Sequence, residues 1–86
     1  MRRLLYSDLV WQEKLIKLTH HVQTLVTYAS DRDYAQALNK AMNDRELDVI
    51  LALAHVIFDR DRKNTMVVEA YDAIVELIGN RKAVAR

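Results

Sequence analysis

The 86-residue chain has no cysteine, no proline and a single glycine, Gly79. Without cysteine there are no disulfides, thiolate zinc sites, iron–sulfur clusters or thiol nucleophiles. Without proline, and nearly without glycine, turn punctuation is scarce, which predicts a chain that is almost all helix. The same shortage excludes glycine-rich loops that cradle phosphates. Charge of one sign is missing too. Thirteen Lys and Arg against 12 Asp and Glu leave a net charge of +1, with no strong pull toward nucleic acid or anionic membrane. The apolar run "VILALAHVIF" at 49–58 falls well short of the roughly 18 residues a membrane span requires. In "MRRLLYSDLVWQEK" Asp8 and Glu13 interrupt any signal-peptide core. The expectation is a cytoplasmic protein with no membrane association, no metal and no cofactor.

What is present is globular in character: 51 % of residues are hydrophobic and 29 % charged. A chain of this size buries only about 60 % of its unfolded surface. Disulfides and thiolate metal sites being excluded, association with another chain is the remaining source of extra stability.

Helical periodicity divides the chain into four segments. In the first, about 4–28, Leu4, Trp11, Leu15, Leu18, Val22, Leu25 and Ala29 recur at steps of three and four, with Asp8 the one break. Leu5, Leu9, Ile16 and Val26 form a second apolar row. Ser7 offers an alternative, later cap that would leave the first six residues as an arm. The second helix, about 31–42, and the third, about 44–60, share a start pattern, "SDRDYAQAL" and "NDRELDVIL". Ser30 with Asp33, and Asn43 with Glu46, have the spacing of capping boxes. Whether these are two helices or one kinked rod the periodicity leaves open. The third is apolar on two sides, the mark of a central helix. A fourth, about 65–78, is capped by Asn64 or Thr65 and closed by Gly79 as a left-handed C-terminal cap. The expected fold is all-α: a small, self-associating four-helix bundle with one long N-terminal helix, a single domain over 1–80 and a basic tail over 81–86.

Few residues suggest chemistry. The serines are Ser7 and Ser30 alone, both in capping positions, and no Ser/His/Asp set or carboxylate pair stands out, so no enzyme is expected. His55 has Asp59 one turn later as a hydrogen-bond acceptor; local pairing is the preferred reading over a pH-sensitive contact. His20 and His21 point about 100° apart and cannot share a metal. The Asp-Arg dipeptides at 31–32, 44–45, 59–60 and 61–62 read either as a solvated, ion-paired rim or as a charged collar around an apolar binding patch.

The seam on helix one outruns the helices expected to cover it. Leu4, Leu5, Trp11, Leu15 and Leu18 are therefore the candidate partner or dimer interface of a protein–protein interaction module: a regulator, inhibitor or chaperone that engages its partner through an apolar helix face. A dimeric helix-turn-helix-like nucleic-acid binder is the alternative. Its reading helix would be mostly apolar with Asp48 and Asp59 outward, so phosphate contacts would fall to the basic termini: Arg2, Arg3, Arg81, Lys82 and Arg86.

The segments "VILALAHVIF" and "AYDAIVELIG", with His55 and Tyr71 in them, resemble the two-helix small regulators of bacterial biofilm formation and acid resistance. The resemblance covers less than half the chain, has no counterpart for the long first helix, and brings no site residues with it.

Overall fold

The computed structural model describes residues 6–85, with side chains over 11–79. Four α-helices follow one another: α1 (Tyr6–Tyr28), α2 (Arg32–Asn43), α3 (Leu47–Arg60) and α4 (Thr65–Ala85). There is no strand among the described residues, and the small all-α bundle expected from the sequence is what forms. Each helix packs on the next and α4 returns to α1, their contact being the most extensive of all. Asp61, just before α4, hydrogen-bonds to Ser30, just after α1. The course is therefore up, down, up, down, with α1 and α4 antiparallel.

The core is built from one stripe of each helix. Leu18, Val22, Leu25 and Ala29 come from α1, and Ala35, Leu38, Ala41 and Met42 from α2. Ile50, Ala54 and Ile57 of α3 meet Val67, Ala70, Ile74 and Ile78 of α4. No polar side chain is buried among them, so the interior is held by apolar burial and packing alone. Truncating a fully enclosed residue such as Leu38 to alanine costs about 2–5 kcal/mol.

Local chemistry sets the helix ends, in places differently from the sequence expectation. At α2 the cap is Asp31, not Ser30: its carboxylate accepts from the backbone N–H groups of Asp33 and Tyr34 at 3.0 and 3.3 Å. Ser30 is instead drawn across to Asp61. At the second site Asn43 is the last residue of α2, and Glu46, which precedes α3, makes no capping bond with its side chain. The two helices are separate. Between them Arg45 N–H donates to Met42 O and Glu46 N–H to Ala41 O, the paired bonds of a Schellman closure. That closure puts Arg45 at φ 57°, in the left-handed region where glycine is usual. Asn64 caps α4 as expected, accepting from Met66 and Val67 N–H.

Gly79 does not end α4. The helix continues to Ala85, and Gly79 has no positive φ. A glycine inside a helix costs only about 1 kcal/mol against alanine. Beyond Gly79, α4 runs on at the end of the bundle where antiparallel α1 begins. The segment 81–85 is thus helical rather than a frayed tail.

Candidate interaction surfaces

α2 and α3 are about 18 and 21 Å long, against about 35 Å for α1 and 32 Å for α4, at the helical rise per residue. The α2–α3 turn reaches only as far as the middle of α1: Met42 and Arg45 lie beside Gln12, Leu15, Ile16 and Thr19 around a shallow hollow of about 290 Å³. Ile16 is 71 % exposed there, the most open of the large apolar side chains described. Ile16 belongs to the second apolar row of α1 rather than to the seam on which the candidate interface was placed.

The proposed interface residues divide on this flank. Leu18 is fully buried in the core of its own chain, and Leu15 packs against that core while also lining the hollow. Trp11 is partly buried. Leu4 and Leu5 lie outside the described residues. The inner seam is less free than the candidate interface required, because Leu18 is enclosed within the bundle's own core. Of the basic set, Arg81 and Lys82 fall within α4, at the bundle end where α1 begins, and Arg2, Arg3 and Arg86 lie outside the described residues.

A second surface lies between α3 and α4. Leu51, Ala52, His55 and Val56 of α3 and Tyr71 and Val75 of α4, with Asp48 at one end, line an open and mainly apolar groove of about 590 Å³. Val49, 43 % exposed, continues the apolar face of α3 beyond it. Residue by residue the source is plain. Ile50, Ala54 and Ile57 use the inner side of α3, whereas Val49 and Ala52 are exposed and Val56 is half-buried.

His55 lies on the groove and is exposed, and its partner is not Asp59. Its Nδ1 is 3.1 Å from the Tyr71 hydroxyl, the direction of the bond following the imidazole tautomer. Tyr71 stacks on Phe58 with centroids 4.4 Å apart and an interplanar angle of 12°, and the Arg62 guanidinium sits 5.5 Å above the Phe58 ring. Arg62 donates twice to one Asp59 oxygen, at 2.6 and 3.1 Å. A fixed guanidinium is a stronger donor to a carboxylate than a neutral imidazole, so Asp59 goes to Arg62 and leaves His55 to the tyrosine. The i, i+4 spacing that suggested a His55–Asp59 pair carried no signal of Tyr71, sixteen residues away.

The Asp-Arg dipeptides do not ring either apolar surface. Three of the four gather at one bundle end, where they join loops. Ser30 N–H and Oγ donate to the two Asp61 oxygens at 3.1 and 2.8 Å, and Arg60 lies 3.7 Å from Asp31 and 5.2 Å from the Tyr34 ring. The fourth, Asp44-Arg45, is at the opposite end, where Asp44 takes Lys40 at 2.9 Å. That hydrogen bond and the aspartate charge hold the Lys40 ammonium above the ordinary lysine value.

His20 and His21 meet edge to face, with centroids 5.3 Å apart. Partial burial, and then the neighbouring imidazole, push His21 below the ordinary histidine value. Among the described residues no group of three or more His, Asp or Glu is arranged to hold a metal ion. No described helix is long and apolar enough to cross a membrane. No protein family, curated protein or solved structure matches the chain.

Proposed function

We propose that the protein is a small helical interaction module: a regulator, inhibitor or chaperone that acts by packing an apolar helix face against another protein. The observation that carries this reading is the groove between α3 and α4, with the open side of α3 beside it. An apolar surface flanked by charged side chains, on a bundle whose own core is already closed, is the layout of a recognition patch. The uncovered flank of α1, with Ile16 and Trp11, supports self-association through a second face.

Affinity capture from a lysate of the source organism, with and without nuclease, tests the reading. Wild-type protein is expected to retain a stoichiometric, nuclease-resistant protein that either Ala52→Arg or Trp11→Ala releases. Sedimentation from micromolar to millimolar concentration is expected to give a mass above the monomer, and Trp11→Ala to lower it while helical circular dichroism persists. Loss of the helical signal in that variant would make Trp11 a core residue instead.

One observation favours the second reading, a nucleic-acid-binding regulator. Antiparallel α1 and α4 bring the start of α1, which follows Arg2 and Arg3, and the Arg81–Lys82 turn of α4 to the same end of the bundle. Arg81 and Lys82 thereby stand at the pole where α1 begins, and basic side chains there suit phosphate contact. Retained material that disappears with nuclease would put this reading first.

A further inference from the structure

Away from their ends, α3 and α4 carry charge of one sign. Residues 46–59 and 64–79 contain Glu46, Asp48, Asp59, Glu69, Asp72 and Glu76 and no Lys or Arg. The chain as a whole is slightly basic, and the basic residues of these two helices and their loop, Arg60, Arg62, Lys63, Arg81 and Lys82, fall outside those stretches. The stretches that line the groove therefore carry a segregated negative charge. Its position relative to the groove follows from helical geometry. Tyr71 and Val75 line the groove, and Asp72 and Glu76, each one residue later, stand about 100° further round α4, on its solvent side. Asp48 lies in the groove itself. Asp59 is engaged by Arg62 at the opposite end.

We propose that this groove receives a basic amphipathic helix from a partner protein. The proposal rests on the reading of the protein as an interaction module and specifies the chemistry of the partner. The apolar stripe of such a helix would lie against Leu51, Ala52 and Val56 of α3 and Tyr71 and Val75 of α4, with the small Ala52 allowing close approach. Its Lys and Arg side chains would reach outward to Asp48, Asp72 and Glu76. A second copy docked through the same face in a two-fold dimer would set carboxylates against carboxylates, which disfavours it.

The test uses the full chain and a synthetic helix of Leu, Ala and Lys, about 18 residues long so that it is helical alone, with leucines on one face. A twin carries Glu for every Lys. The lysine peptide is expected to bind and to shift the amide resonances of Ala52, His55, Val56, Tyr71 and Val75. The glutamate twin is expected to bind at least about tenfold more weakly, as does the lysine peptide with the Asp72→Lys/Glu76→Lys variant. Those two positions are exposed, so the fold of that variant is retained, and circular dichroism checks it. Equal binding of both peptides, amide shifts confined to α1 and α2, or no binding of the lysine peptide would each overturn the proposal. None of these outcomes bears on the lysate capture, whose failure would instead remove the interaction reading itself.

Discussion

The two ends of the bundle are built on different principles. At one end the α1–α2 and α3–α4 loops are tied to each other: Asp61 takes both polar hydrogens of Ser30, Asp31 caps α2 and attracts Arg60, and Arg60 covers Tyr34. At the other end only one connection exists, the closure around Arg45, and α1 and α4 run on past it as a pair. The tied end fixes where the helices start relative to one another. The open end leaves helix surface uncovered, and the first turn of α1 and the last turn of α4 lie there. Rigid registration and free surface are thus separated along the molecule.

Several measurements would break or sharpen that contrast. Asp61→Ala removes two charge-assisted hydrogen bonds between segments thirty-one residues apart in sequence, and should cost about 1–2 kcal/mol in urea unfolding. An unchanged midpoint would mean that the loops register the helices no better than the open end does. At the open end the sign reverses. Arg45→Gly relieves a left-handed backbone and should raise stability by about 1 kcal/mol, read as a higher urea midpoint. Gly79→Ala should add about 0.5–1 kcal/mol, because an added Cβ meets nothing within 4 Å and the backbone there is helical. A loss of stability in this variant would place a helix break at Gly79 after all.

The smallest effect is a pH dependence. His21 is held below its ordinary value of about 6.5, so the unfolded chain binds its proton more readily than the folded one. The stability associated with it is present above the unfolded value and declines as pH falls through that value toward the lower folded one. Because much of the imidazole remains solvated, the slope is slight. His21→Gln should flatten the urea midpoint between pH 5 and 7 on that same decline, without altering it above pH 7.5.

The α1 seam of Leu18, Val22, Leu25 and Ala29, read from spacing, is the buried face of that helix, and α3 shows apolar residues on both sides as its composition indicates. Asn64 is a cap in both views. The candidate sites were less legible. Helix lengths pointed to uncovered surface on α1, yet Leu18 is wholly interior, enclosed by the bundle's own core, and the most exposed apolar residue there, Ile16, belongs to the second apolar row. The α3–α4 groove escaped notice altogether, although its ingredients were visible in the double-sided apolar pattern of α3 and the absence of basic residues from 64 to 79. Joining them requires knowing that Tyr71 and Val75 stand beside Leu51 and His55.

Periodicity determines which face of a helix avoids water, because that choice involves residues within a few turns of each other. The sequence by itself therefore determined an all-α chain, the inner stripes of its helical segments and the lack of chemistry that needs cysteine or glycine-rich loops. Polar groups take the strongest partner within reach, and reach depends on how the helices pack. Only the tertiary structure decided that Ser30 turns to Asp61 rather than capping α2, that His55 meets Tyr71, that an arginine holds the left-handed turn, and that α4 passes through the chain's one glycine.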